Sequence, residues 1–457
     1  MTSSGLETRD HVAALWALTG GAAPVDRLEV TGPAHVFESR YAVTEAAASA
    51  VGAASLAAAT LLEARGGPAQ TVTVDRTHAA AAFAAERLIR RDGAPVEAWA
   101  PLSGRYVTAD DRSIQLHCNF PHHAEGIARR LGVPLEREAF AEAIRGWRAV
   151  DLETALIEDG MVAAAYRTRE EWDAHPHALA TSALPPLSLE RIGDAEVVPL
   201  AEAARPLDGV RVIDCSRVLA GPVAGMTLAS HGAEVLRVGA EHLPVTESGV
   251  LSTGFGKRAT HIDLRTAGGR STFETLLRDA DAVIDAFRPG ALEHLGFGAE
   301  RLAEVRPGIV VVQLCAFDWT GPWGGRRGFD SIIQSTTGLA LPSADPSEAP
   351  SHLPVQALDH ATGFLAAFAA MRALARRQSE GGSWRARLAL LRTRNWLVGL
   401  GGGGAPEAPP DFEPYMFEVD SAFGRLRAVR PIDALPSSPT RWDRAPEPVG
   451  ASTPEWL

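Results

Sequence analysis

Asp359 stands where a carboxylate could do chemistry. It opens an amphipathic stretch whose apolar stripe is Phe364, Ala367, Phe368 and Met371, so its side chain falls at a helix N-terminus. As an N-cap it would accept a backbone N–H and contribute about 1 kcal/mol. The same place favours an ionised carboxylate and sets free N–H groups beside any oxyanion formed next to it. The two readings are compatible. Cations recur on segments that follow apolar runs: Lys257-Arg258, Arg265, Arg288-Pro289-Gly290 and Arg326-Arg327. Each alone reads as a solvated charge, but several on neighbouring loops of an acidic chain suit an anionic ligand. His117-Cys118 and His122-His123 resemble metal ligands yet lack a second cluster at ligand spacing, and His175-Pro176-His177 reads as a surface turn. Cys118, Cys215 and Cys315 are too scattered for a disulfide framework, and the single lysine, Lys257, is not by rarity alone a catalytic candidate.

These groups must be positioned by an α/β scaffold. From Leu207 the chain alternates strand and helix patterns: strands at 210–215, 234–238, 260–264, 282–287 and 309–314, with helices at 221–231, around 273–280 and at 292–305. The nearly unbroken apolar run Ile309 to Leu314 suits a parallel strand covered on both faces. The fold class is an open, Rossmann-like, mostly parallel sheet, and ligands of such sheets lie beyond the carboxyl ends of the strands. The first such loop, Ser216 to Pro222, has no Gly-x-Gly-x-x-Gly, which disfavours a nicotinamide or flavin dinucleotide.

The 457 residues suggest about three domains at ~150 residues each. We divide them into an Ala-rich helical segment (1–100), a small α+β domain (101–200), the Rossmann-like domain (205–400) and a Gly/Pro-rich loop and tail (401–457). A net charge of −12 disfavours nucleic acid, and the apolar run 46–62 reads as a packed helix, not a membrane span. With no basic N-terminal region ahead of an apolar core, a cytoplasmic location is expected. Residues 41–78 also echo 356–393: superposing Gly67 on Gly382 sets Asp359 opposite Thr44, beside Glu45.

Leu207-Asp208-Gly209-Val210-Arg211-Val212-Ile213-Asp214 followed by Arg217-Val218-Leu219-Ala220-Gly221-Pro222 resembles the opening of the class III CoA-transferases, the group of formyl-CoA transferase, carnitine CoA-transferase and the 2-methylacyl-CoA racemases. The likeness continues through Gly256-Lys257-Arg258, Ile262 to Arg265, Phe287 to Gly290, Leu295 to Phe297, Thr320 to Pro322 and Arg327 to Asp330. It implies that Asp359 is the nucleophile and that CoA is bound by Val218, Leu219, Ala220, Ile262, Asp263, Leu264, Arg265, Phe287, Arg288, His294, Arg327 and Asp330. Departures fall at Gly239-Ala240, where the family usually has Glu, and at Ala286, commonly Asn or Ser. Residues 101–185 resemble the family's small domain, which ordinarily follows the large one, so the parts stand in permuted order, with residues 1–100 resembling the post-catalytic helix and linker.

The resemblance implies transfer of CoA from an acyl-CoA to a small carboxylic acid through an aspartyl anhydride and an aspartyl-CoA thioester. It implies no metal or redox cofactor, CoA itself being a substrate, and a homodimer of interlocked subunits without nucleic acid or membrane. Two alternatives stand beside it. Racemisation of a 2-methylacyl-CoA would need a histidine at the position of Phe329, with the neighbouring His360 leaving an opening. A CoA-binding relic without turnover is favoured by Gly239, Ala240 and Ala286.

Overall fold

The computed structural model describes residues 3–197, 199–341 and 349–457. Its centre is a seven-stranded sheet in the spatial order Lys257–His261, Glu234–Gly239, Arg211–Cys215, Ala282–Asp285, Val310–Cys315, Ser383–Ala389 and Leu187–Gly193. The first six run parallel in the doubly wound order 3-2-1-4-5-6, and Leu187–Gly193 closes the edge antiparallel. The inner strands are apolar on both faces because helices cover both, as in the run from Val310 to Val312. The order reverses between Arg211–Cys215 and Ala282–Asp285, which opens a crevice at their carboxyl ends.

Three boundaries differ from the sequence reading. The third strand is Lys257–His261, three residues earlier than expected, because its first residues are buried in the sheet with Lys257 held by an internal carboxylate. Leu187–Gly193 belongs to the main sheet although it precedes the domain boundary expected at the Pro- and Ala-rich segment Val198 to Pro206, of which Val198 lies outside the described residues. The C-terminal region holds a β-hairpin, Met416–Ser421 with Gly424–Val429, and its last residues cover the exposed edge of Lys257–His261. There Ser452 N donates to Ala259 O at 2.9 Å and Ala259 N to a Glu447 carboxylate oxygen at 2.6 Å, so the edge is not left open.

The small domain packs Gly104–Val107, Ser113–Leu116 and Ala163–Ala165 as an antiparallel sheet against Pro121–Leu131, Arg137–Ile144 and Ala149–Glu158. His177, expected on a surface turn, is fully buried and its Nε2 lies 2.7 Å from Phe317 O. Its ring ties the small domain to the loop that follows Val310–Cys315.

Two long helices form the spine. Val43–Ala64 is long and apolar enough to cross a membrane, but it is buried along Ala357–Glu380. Alanines line both helices, so the backbones approach closely, and Trp16 packs on Phe368 at 5.7 Å between ring centroids. The echo seen in sequence is also geometric. Ala42 (φ −74°, ψ 54°) and Gln356 (φ −75°, ψ 64°) start the two helices alike. Tyr41 O accepts from Val43 N as Val355 O accepts from Ala357 N. Counted from these heads, Glu45 and not Thr44 stands opposite Asp359, because the second helix reaches its closing glycine one residue later. Glu45 is occupied structurally: Thr8 and Ser49 hydroxyls donate to it at 3.0 and 2.9 Å, and Arg76 lies 3.6 Å away.

Candidate active site

Asp359 is not the N-cap of its helix. It lies in the first turn, and the helix head is capped from outside by Asp330, whose Oδ2 accepts from Leu358 N at 2.8 Å and Asp359 N at 2.9 Å. The other Asp330 oxygen takes the Gln334 amide. Asp330, expected among the CoA contacts, is fully buried and positions the head of the Asp359 helix.

The Asp359 carboxyl, 7% exposed, lies near the start of Ala220–Ser230, where the Ala220 N–H favours its ionised form. That helix has no side-chain cap of its own, so its N-terminal dipole faces the carboxylate. Two glycines permit the approach. A Cβ on Gly363 would lie 2.7 Å from both Ala220 O and Val223 Cβ, and one on Gly221 would lie 2.4 Å from Ser216 Cβ. Burial, then the charges of Asp330 and Glu86, raise Asp359 well above the ordinary carboxylate range. Burial likewise lifts Asp330 to about 6.

A cationic crevice lies at the switch point. Arg217 follows Arg211–Cys215, Arg288 follows Ala282–Asp285, and Arg327 reaches in from the loop after Val310–Cys315. Burial pulls Arg217 below the usual guanidinium value, as do the neighbouring charges of Arg237, Arg288 and Arg327; burial and Arg288 do the same to Arg327. Among the described residues none of Arg217, Arg288 and Arg327 has a carboxylate partner: Arg217 donates weakly to Pro244 O and Arg327 donates to Gly160 O. Neighbouring cations without counter-charges are suited to an anionic ligand. Arg217 was not among the expected contacts, since only the strand order brings the ends of two separate strands together.

The other expected cations do not join them. Lys257 and Arg258 lie within a strand, not on a loop. Lys257 is buried against Asp214 at 2.9 Å, and Arg258 donates to Glu455 O and Thr453 O in the C-terminal segment. Arg326 is spent on Glu153 at 2.9 Å and lies over Trp323. Arg265 is exposed and clamps Asp263 at 2.9 and 2.8 Å.

Of the remaining expected contacts, Val218, Leu219 and Ala220 form the loop between Arg217 and Asp359 and are near-buried. Phe287 and Arg288 follow Ala282–Asp285, Phe287 packing against the core behind the sheet, and His294 is exposed beside Gly290. The side chains of Ile262 and Leu264 pack inward with Phe273 and Leu276. At Gly239 the vacancy left by the family's acidic side chain is bounded by Val449 of the C-terminal segment, whose Cγ1 is 3.4 Å from a Cβ built there. Gly402 pairs with Tyr41, so the glycine run 401–404 covers the Glu45 helix head and not Asp359.

Phe329 stacks on His117 of the small domain at 3.7 Å, and burial drops His117 to about 3, leaving it neutral. His117, His122 and His123 cluster against Phe120 and Phe329, but among the described residues no group of three metal-ligating side chains occurs.

Residues 207–400, the segment that holds the parallel sheet, the crevice and Asp359, match the sequence model of CoA-transferase family III. This segment is 34% identical over 197 residues to a probable fatty acyl-CoA transferase of Mycobacterium tuberculosis, covering 40% of this chain and 50% of the relative. It is 35% identical over 191 residues to succinyl-CoA–D-citramalate CoA-transferase of Chloroflexus aurantiacus, covering 39% and 47%. A crystal structure of a CAIB/BAIF family protein from Brucella suis is similar at 27% identity and a TM-score of 0.40, covering 48% and 65%. The chain spans about half the length of the curated relatives it matches.

Proposed function

We propose that the protein transfers coenzyme A from an acyl-CoA to a carboxylic acid, with Asp359 as the nucleophile. One observation carries the reading: a buried carboxylate faces the open N-terminus of Ala220–Ser230, next to a crevice of arginines without counter-charges. The arginines suit the phosphates of CoA, and the loop Val218 to Ala220 would line the path of the pantetheine arm toward Asp359.

In the first half-reaction the Asp359 carboxylate attacks the thioester carbonyl, the C–S bond breaks, and CoA leaves as thiolate, giving a mixed anhydride. The thiolate attacks the aspartyl carbonyl and expels the donor carboxylate, leaving an aspartyl-CoA thioester. An acceptor carboxylate attacks that thioester, thiolate leaves, and thiolate then attacks the acceptor's acyl carbon, restoring Asp359. The Ala220 N–H, at the uncapped start of the neighbouring helix, would stabilise an oxyanion at the aspartyl carbonyl. Metal and redox chemistry are not needed, because the thioester supplies the activation. The N-terminal half supplies the small domain and the segment around Glu86 to the same site, so we propose that one chain builds a complete active unit.

Hydroxylamine added during turnover tests the assignment. Peptide mass spectrometry is expected to find a hydroxamate at residue 359 that depends on acyl-CoA; no modification with any productive donor would dismiss covalent catalysis. Proton exchange at the α-carbon is disfavoured, because Phe329 carries no transferable proton. Arg288→Ala and Arg327→Ala are each expected to weaken CoA binding roughly tenfold and to flatten its dependence on salt in titration calorimetry. Unchanged affinity in both would remove the crevice as the phosphate site.

A further inference from the structure

The four-residue helix Ala85–Leu88 reaches the head of the Asp359 helix from the N-terminal segment, outside the part of the chain that matches the family. Two side chains dock it. Glu86 Oε2 lies 2.7 Å from His360 Nε2, and Arg87 donates to Pro354 O just ahead of the helix. Glu86 and His360 are 5% and 1% exposed. Phe83 closes the arrangement, stacked on the His360 ring at 5.5 Å and on Phe364 at 6.0 Å. The second Glu86 oxygen, Oε1, and His360 Nδ1 are buried with no hydrogen-bond partner.

A buried carboxyl oxygen without a donor is unfavourable unless the site uses it. Glu86 is anchored to the residue that follows Asp359, and its charge acts on the Asp359 carboxyl. We propose that Glu86 is a positioning residue for acyl transfer, lent by the N-terminal segment, which fixes His360 and places a negative charge beside Asp359. This rests on the reading of Asp359 as nucleophile. The groups facing Asp359 are Asp330 from Asp330–Thr336, Glu86 from Ala85–Leu88, the Ala220 N–H from Ala220–Ser230, and His360 on its own helix. Glu86 therefore makes Asp359 a stronger base, and a stronger base is the better nucleophile once ionised.

The test is a titration of the full chain carrying aspartate labelled with 13C at Cγ, the Asp359 signal being assigned by its loss in Asp359→Asn. Glu86→Gln keeps the shape and can keep the bond to His360 but removes the charge. It is expected to lower the Asp359 midpoint by about one pH unit and to move the acid limb of acyl transfer with it, with the plateau rate falling roughly threefold. His360→Asn unties the Glu86 carboxylate without removing it and is expected to move the midpoint the other way. A midpoint unmoved by Glu86→Gln overturns the proposal; should that variant not fold, an unmoved midpoint in His360→Asn does so. A purely structural Glu86 would lower the melting temperature and leave both midpoints in place. If hydroxylamine fails to trap residue 359 in the wild-type protein, the transferase reading fails while the titration still decides the role of Glu86.

Discussion

Asp359→Asn is expected to abolish CoA transfer, lowering turnover by at least ~10³-fold, while CoA affinity stays within about threefold and the folded protein becomes more stable at neutral and alkaline pH. Loss of turnover follows because an amide cannot form the anhydride. Affinity is retained on the proposed binding mode, because the crevice arginines lie at the switch point, on different elements from the helix head. The stability gain comes from electrostatics. Burial, Asp330 and Glu86 raise the folded Asp359 above its unfolded value. A raised acid binds its proton more tightly in the native state, so its favourable contribution is complete below the unfolded value near ~4 and is lost as pH climbs through the folded one. Asparagine does not titrate, and it nearly matches aspartate in size and shape. The difference between variant and wild type should therefore widen with pH, reaching about 1–2 kcal/mol by pH 8. Parallel melts at pH 5 and pH 8 read the sign directly: a variant less stable than wild type at pH 8 would show that the carboxylate is held by favourable contacts, against the burial argument.

The strand–helix alternation after Leu207 was legible because parallel strands covered on both faces are apolar throughout, and because the motif from Leu207 to Pro222 is densely patterned. Asp359 was legible as the residue that opens an apolar stripe. Its cap was not, since Asp330 reaches it across 29 positions of sequence, and no local pattern distinguishes that carboxylate from one facing a ligand. The same limit hid Glu86: an alanine-rich stretch with one acid reads as a helix surface until the packing of Val43–Ala64 on Ala357–Glu380 brings it to His360. Lys257-Arg258 misled in the other direction. Two basic residues after a glycine look like a loop, whereas a buried carboxylate two strands away makes Lys257 an interior strand residue. Ile262 and Leu264 were expected at the ligand by motif; their side chains sit in the core, a placement that the motif alone does not reveal.

That interior carboxylate carries the second large effect. Asp214 is fully buried in the first strand of the sheet; Lys257 Nζ donates to its Oδ2 and to Pro222 O, both at 2.9 Å, and the Ser216 hydroxyl takes the other oxygen. Arg237, also buried, lies within the field of the same carboxylate. One anion thus serves two interior cations, directly beneath the helix that presents Ala220 to Asp359. A Cβ on Gly225 would lie 2.6 Å from Asp214 Oδ2, so that helix can settle onto the ion pair only with glycine there. Asp214→Asn would leave Lys257 and Arg237 buried together without compensation, which is expected to destabilise the protein by about 3–5 kcal/mol. Lys257→Met should cost less, since Arg237 remains for Asp214. In a guanidinium double-mutant cycle, Asp214→Asn with Lys257→Met should recover much of the loss of Asp214→Asn, giving a coupling energy of about 1–3 kcal/mol. Additive losses would mean that the two charges do not interact in the folded chain. Because Pro222 lies in the first turn of the helix that begins at Ala220, the same variants should also lower the rate of acylation at Asp359, even under conditions where each is fully folded.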